Sequence, residues 1–182
     1  QVFSLLRIFC GLNPSGCTGT VGILDIGAAS TQFLVVCDGL LEFTRTLPVG
    51  GNLLTQSLAA YYGYDPEQAS LVIVERGRLL SAEEAAATSE EEMQMDFSLR
   101  DGLSELVREI RRSIDFYASQ EGATPIEKFV LSGGVVKLAG FREFLAEALE
   151  VPVELGDPGI SGQPVDENRP GTFDQSYAVV LG

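Results

Sequence analysis

The sequence predicts an α/β fold: a mixed sheet that opens with an antiparallel three-stranded meander, is flanked by helices and carries a small helical insert. Three observations predict it. The first fifty residues hold three β-prone runs joined by tight turns. Leu99 to Tyr117 repeats apolar residues at steps of three or four, the period of a buried helix face. From Phe129 onward, short apolar runs alternate with a helical pattern, as β–α crossovers do.

Each element follows in order. Val2, Leu5, Leu6 and Phe9 open the chain with an apolar stretch at helical spacing. Residues 20–26 (Thr-Val-Gly-Ile-Leu-Asp-Ile) and 31–36 (Thr-Gln-Phe-Leu-Val-Val) read as two strands broken by Gly27. Asp38-Gly39 is a hairpin signal, and Leu41 to Val49 follows as a third strand alternating at Phe43, Arg45 and Leu47. Gly50-Gly51 ends it and opens a helix with Leu54, Leu58, Tyr61 and Tyr62 on one face, stopped by Gly63. Asp65-Pro66 starts another helix, with the Asp as cap and the Pro at the first helical position. Residues 81–96 are alanine-rich and acidic, without a basic side chain, and read as a solvated segment or loop. The helix over 99–117 closes at Gly122 and Pro125. Phe129 to Leu131 is a short buried strand, Phe141 to Leu149 an amphipathic helix, and Val151 to Leu155 a final strand. A loop rich in Gly and Pro over 156–171 precedes a last helix over 173–182.

Composition removes whole classes of chemistry. The chain has 182 residues and no histidine, so it contains neither a Ser-His-Asp nor a Cys-His catalytic set, and no histidine-ligated metal. Twelve basic residues against 26 acidic ones give a net charge of −14, which disfavours nucleic-acid phosphates and anionic membrane surfaces as partners. A hydrophobic share of 45% supports a packed core rather than disorder. Cys10, Cys17 and Cys37 form no CxxC pair and are odd in number, which fits a reducing compartment. No apolar run approaches the ~20 residues that span a bilayer. The chain starts at Gln1 without a basic-then-apolar leader, and is expected to be a fragment.

Four features could carry chemistry. Asp25-Ile26-Gly27-Ala28-Ala29-Ser30-Thr31 sits at a turn between strands. Its small residues would let backbone N–H groups approach a phosphate, Ser30 and Thr31 add hydroxyls, and Asp25 could hold Mg²⁺ directly or through water. An ordinary hairpin with a strand-ending Asp explains it equally. Gly50-Gly51 lies where a strand meets a helix N-terminus, which makes either an anion site or a tight connection. Leu131-Ser132-Gly133-Gly134 ends a strand with bare backbone that could lie against a purine or ribose. Arg100, Arg108, Arg111 and Arg112 concentrate positive charge on the long helix, for stacking on a base or for an exposed face salt-bridged by Asp101, Glu105, Glu109 and Asp115.

Taken together and in this order, the motifs resemble one half of an actin-like ATPase, a ribonuclease H-like lobe. Asp25-x-Gly27-x-x-Ser30-Thr31 is similar to that superfamily's second phosphate loop, and Ser132-Gly133-Gly134 to its adenosine motif. Within the superfamily the chain resembles PilM, the cytoplasmic actin-like protein of type IV pilus assembly. The likeness rests on Glu109-Ile-Arg-Arg-Ser-Ile-Asp-Phe-Tyr117 followed by Pro125-Ile126 and Leu131-Ser-Gly-Gly134. Tyr62-Gly-Tyr-Asp-Pro-Glu-Gln-Ala69, Lys137-Leu-Ala-Gly-Phe141 and Val151-Pro-Val-Glu154 add to it. FtsA shares the Gly-Gly and its following helix but fits 109–117 less well. The resemblance spans about residues 5–182, and it departs from the family by lacking the amino-terminal half with its first phosphate loop.

The resemblance implies that residues 1–182 form one lobe, the second half of a two-lobed protein, with 64–96 as a small inserted subdomain or acidic segment. It implies ATP and Mg²⁺ as cofactors, bound between the lobes. Asp25, Gly27, Ser30 and Thr31 would contact the β- and γ-phosphates or the metal, with Asp25 the metal ligand. Gly50 and Gly51 would lie near ribose and phosphates, Gly133 and Gly134 against the adenosine. Arg108, Arg112 and Asp115 would face the adenine, as equivalent helix positions do in chaperone relatives. Catalytic residues stay unassigned, and turnover is at most that of a slow ATPase. The implied setting is cytoplasmic and peripheral to the inner membrane, in pilus assembly and twitching motility. The implied partners are the cytoplasmic tail of a PilN-like inner-membrane protein and pilus motor components, with no nucleic acid. Two other readings fit the same fold: a small-molecule kinase, such as a sugar or acetate kinase, and an interaction module without nucleotide binding.

Overall fold

A computed structural model describes residues 18–156. The opening apolar stretch, Cys10, Cys17, the Gly/Pro-rich loop beyond Gly156 and the expected last helix lie outside the described residues. Five strands form one sheet in the order β3-β2-β1-β4-β5: β1 Thr20–Ile26, β2 Thr31–Cys37, β3 Leu40–Leu47, β4 Lys128–Gly133 and β5 Val153–Leu155. β1, β2 and β3 pair antiparallel, whereas β4 joins β1 in parallel and β5 joins β4 in parallel. The expected mixed sheet with its leading meander is therefore present. Asp38 (φ 45°) and Gly39 (φ 81°) both take positive φ in the β2–β3 hairpin, the conformation a two-residue turn of this hand requires. β3 ends at Leu47 rather than Val49, because Pro48 has no N–H to continue the ladder.

Helices cover one face of the sheet. They are α1 Asn52–Tyr62, α2 Pro66–Arg76, the single turn α3 Ala82–Ala85, α4 Glu90–Ala118 and α5 Phe141–Leu149, with a 3₁₀ turn at Gly134–Lys137. Leu24, Ile26, Phe33, Val35, Phe129 and Leu131 point from the strands into the core. Leu54 and Leu58 of α1, Leu99 to Ile110 of α4, and Phe141 and Leu145 of α5 meet them there. Phe43 and Leu47 are buried and Arg45 half-buried, so the alternation read along β3 is the one the sheet uses.

The largest departure is at 81–96, which is expected as a solvated loop. It holds α3 and the first two turns of α4, which begins at Glu90 and not at Leu99. The cause is capping. Ser81 with Glu84 and Ser89 with Glu92 each form a complete capping box, in which the serine accepts from the third helical N–H and the glutamate accepts from the cap N–H. Glu90, Glu91 and Glu92 fill the first turn of α4, where the helix dipole favours negative charge. Met95, Ser98 and Leu99 then carry the buried stripe back to meet the expected one. The acidic run is a helix start.

Glu92 Oε2 accepts from Thr88 Oγ1 (2.7 Å) and Ser89 Oγ (3.0 Å), and these hydrogen bonds, Thr88 first, hold its carboxyl below the ordinary value of 4.5. A carboxyl lowered on folding stabilises the folded state above its unfolded pKa, and that contribution is lost as pH falls through the folded one. Amide exchange at 89–93 should therefore accelerate as pH is lowered below about 4.5, once the intrinsic rate is removed, while β1 amides stay protected. Ser89→Ala should cost about 1 kcal/mol in urea unfolding.

Candidate functional site

β1 and β4 run in parallel, so their carboxyl-terminal ends coincide: Asp25 pairs with Ser132, and Ile26 with Gly133. Across the other edge of β1, Asp25 pairs with Gln32, and Gln32 pairs with Thr46. One row of polar residues thus crosses four strands as Thr46–Gln32–Asp25–Ser132. The row two residues below is apolar at Ile23, Leu34 and Val130 and ends on β3 at Thr44. Thr46 Oγ1 donates to Gln32 Oε1 (3.0 Å), and Ser132 Oγ donates to Asp25 Oδ1 (2.8 Å). Asp25 and Ser132 are half-buried. One oxygen of the Asp25 carboxylate is thereby oriented by Ser132.

Above this row stands the turn 27–30, closed by Gly27 N–H donating to Ser30 O (3.0 Å). The start of α1 packs directly on it. Gly51 N–H donates to Gly27 O (2.9 Å), and Asn52 N–H donates to Ala28 O (2.8 Å). Leu53 and Leu54 N–H are taken by Gly50 O and Gly51 O. The four leading amides of α1 therefore already have partners, which corrects the reading of Gly50-Gly51 as an open anion site. The pair secures contact: a Cβ on Gly50 would lie 2.4 Å from Gly27 O and 2.7 Å from Ala28 O. Gly133 has the same role on the other side. Its φ of 97° and the 2.2 Å that would separate its Cβ from Ile26 O leave room for glycine alone.

Thr31 does not face the site. It is fully buried, and its Oγ1 donates to Val49 O (2.8 Å), tying β2 to the end of the meander. Ser30 stays half-buried at the rim of the turn, next to the exposed Ala29. Gly134 opens the 3₁₀ turn that leads away from β4.

Arg108, Arg112 and Asp115, expected at the adenine, lie on the second half of α4. Tyr117 OH donates to Glu42 Oε2 (2.7 Å), and Thr124 Oγ1 lies 2.6 Å from Thr20 Oγ1, at the amino-terminal end of β1. Arg111 Nε donates to Ala148 O (3.0 Å) in the last turn of α5. The second half of α4 therefore descends toward the end of the sheet opposite Asp25, five strand residues or about 16 Å away. Arg108 pairs with Glu105, Arg112 lies 3.8 Å from Glu109, and both arginines are mostly exposed. The alternative of a salt-bridged solvent face is the one the structure adopts.

Beside the Asp25 end opens a small cleft of about 70 Å³. Gly51, Leu54 and Thr55 of α1, Ile73 and Val74 of α2, and Gly134 and Val135 form its walls, and Lys137 is the charged side chain that lines it. Its apolar walls suit a flat ring, and it touches both glycine motifs. A second, larger hollow of about 520 Å³ lies between Arg78–Ala82 and α5, and its arginines are already paired, Arg78 with Glu84 (2.9 Å) and Arg100 with Asp96 (2.7 Å). No group of three acidic or cysteine side chains converges among the described residues. Asp25 alone suits Mg²⁺, which keeps most of its water and takes one or two carboxylates plus phosphate oxygens. Gln32, Thr46 and Ser132 escaped the motif reading. Each is a polar residue within two positions of a strand end, and only the pairing register brings them into one row.

A model of the family described as Type IV pilus assembly protein PilM matches residues 3–182. Cell division protein FtsA of Neisseria meningitidis serogroup B (strain ATCC BAA-335 / MC58) is 26% identical over 187 residues, covering 88% of this chain and 42% of its own. A solved PilM-PilN type IV pilus biogenesis complex matches with a TM-score of 0.65 and 27% identity, over 82% of this chain and 41% of that one. MreB5 of Spiroplasma citri bound to AMPPNP matches in fold, with a TM-score of 0.60 and 13% identity over 84% of this chain and 52% of that one. The chain spans less than half the length of the FtsA and PilM relatives.

Gly50→Ala tests the close approach at the turn. It should lower unfolding free energy by at least ~2 kcal/mol, because the new Cβ meets two backbone carbonyls that cannot yield cheaply, and urea melts read this directly.

Proposed function

We infer a nucleotide-binding assembly scaffold from one premise: the chain belongs to the Type IV pilus assembly protein PilM family, on an actin-like ATPase fold. The observation that carries the inference is the convergence of Asp25, the 27–30 turn, Gly133-Gly134 and the apolar cleft at one end of the sheet. In this reading the phosphates of ATP lie along the 27–30 turn. Mg²⁺ supplies charge neutralisation at the β- and γ-phosphates and is held by Asp25, whose carboxylate Ser132 keeps in one orientation. The base enters the cleft between α1, α2 and the 3₁₀ turn. Gly50, Gly51 and Thr31 act behind this surface as spacers and struts, and Ser30 contributes at its rim. Gln32 flanks Asp25 in the row on the side opposite Ser132.

The remaining lobe of the full-length protein closes the site from the other side. Turnover is at most slow, since phosphoryl transfer on this surface draws on positioning and charge more than on a strong base. The scaffold is cytoplasmic and peripheral to the inner membrane, and no helix among the described residues is long and apolar enough to cross a membrane. The solved PilM-PilN complex supports a PilN-like partner. In the proposed arrangement that partner binds through its cytoplasmic tail, with pilus motor components beyond it.

In the full-length protein, Asp25→Ala should weaken Mg-ATP binding at least about tenfold in calorimetric titration. Arg108→Ala and Arg112→Ala should stay within about twofold, as exposed pairs contribute little. Unchanged affinity in Asp25→Ala would leave the interaction module without nucleotide as the better reading.

A further inference from the structure

Between α2 and the start of α3 the chain crosses the molecule as a short strap, Gly77 to Leu80. On one edge it pairs like a strand with the Ala139 turn. Arg78 and Ala139 form a single parallel bridge, and Leu79 N–H donates to Ala139 O (2.8 Å). On the other edge there is no strand. In its place stand two side chains from one turn of α4. Asp96 Oδ1 accepts from Leu80 N–H (2.8 Å), and Arg100 Nη2 donates to Leu80 O (2.6 Å). The two side chains also bind each other, Arg100 Nε to Asp96 Oδ2 at 2.7 Å. An i,i+4 ion pair thus grips both polar groups of one peptide residue, as a neighbouring strand would. The Arg100 guanidinium lies 5.3 Å from the Phe144 ring centroid, so α5 closes the clasp from the far side. Asp96 is largely buried, with 15% of its side chain exposed, which lifts this pair above an ordinary surface bridge.

The strap that the clasp grips, and the Ala139 turn that the strap pairs with, both continue into the cleft wall. Gly77 begins the strap and lines the cleft, and Lys137 and Leu138 precede Ala139 and line it too. We propose that Asp96 and Arg100 are positioning residues for the cleft: they fix the strap against the 139–140 turn and so set the spacing between Gly77 and the Lys137–Leu138 wall, although neither touches the space between. This rests on the cleft being the base site of a bound nucleotide. By linkage, a ligand that needs that spacing tightens the clasp, and a loosened clasp weakens the ligand.

The test uses the full-length protein and Mg-ATP. Asp96→Asn keeps an acceptor for Leu80 N–H and loses the charge, while Arg100→Gln removes the fork and Arg100→Lys restores a charge with one donor direction. Mg-ATP affinity should fall roughly 3–30-fold in Asp96→Asn and Arg100→Gln and partly recover in Arg100→Lys. Glu105→Gln, which breaks an exposed pair on the same helix, should change it less than about twofold. Hydrogen exchange supplies the readout that a merely structural role would not move. Mg-ATP should slow exchange at the Leu79 and Leu80 amides of the wild type and lose that effect in the variants, with β1 amides equally protected in all. If the variants bind as the wild type does while their strap amides open, the positioning role is overturned and the nucleotide reading stands. If the wild type itself does not bind Mg-ATP, both fall together.

Discussion

Three stretches of backbone meet at the carboxyl-terminal end of β1 with no space for a side chain between them. Gly50 rests on the carbonyls of Gly27 and Ala28, and Gly133 rests on that of Ile26. The proposed nucleotide site depends on that approach. It brings the start of α1 onto the first turn, brings the end of β4 level with the end of β1, and leaves the cleft as the gap between the two helical exits. A methyl group at either glycine would push one wall away and widen the turn. The glycines therefore act by what they permit, and the polar chemistry is left to the row beneath them, where Ser132 holds Asp25 and Thr46 holds Gln32.

Charge is distributed with the same economy. The net −14 comes from an excess of acids, yet many of those acids have local tasks. Glu84 and Glu92 close capping boxes, Asp96 holds a strap, and Glu105 and Glu109 neutralise arginines on an exposed face. An anionic ligand can approach such a chain where acid is locally thin. The cleft meets that condition, with Lys137 as its charged lining residue among apolar groups and the hydroxyls of Thr55 and Ser70.

Much of this was legible in the residues. The meander, the Asp38-Gly39 hairpin, the parallel return through Phe129–Leu131 and the helix face from Leu99 to Tyr117 all carry strong local signals, and each formed where its period placed it. The start of α4 was hidden because a run of acids reads as solvated unless the Ser-x-x-Glu spacing before it is noticed. Thr31 looked like a phosphate hydroxyl because hydroxyls are chemically equal in a motif; burial and the Val49 carbonyl decide its job, and neither is local. The arginines of α4 are placed by a constraint that is equally non-local. A helix of 29 residues extends over 40 Å at about 1.5 Å per residue, so membership of the right helix says little about which end of the sheet a side chain reaches. The strap clasp joins residues 20 apart through backbone atoms, and no side-chain pattern announces it.

The central claim is that the Asp25 end of the sheet is a nucleotide seat and the arginine face of α4 is not. A crystal structure of the full-length protein with Mg²⁺ and a non-hydrolysable ATP analogue tests it most directly. The account predicts phosphate oxygens within hydrogen-bond reach of the 27–30 turn, the metal on the Asp25 side, and the base between Ile73 and Val135. Phosphates or base lodged against Arg108 and Arg112, with the 27–30 turn left bare, would contradict it.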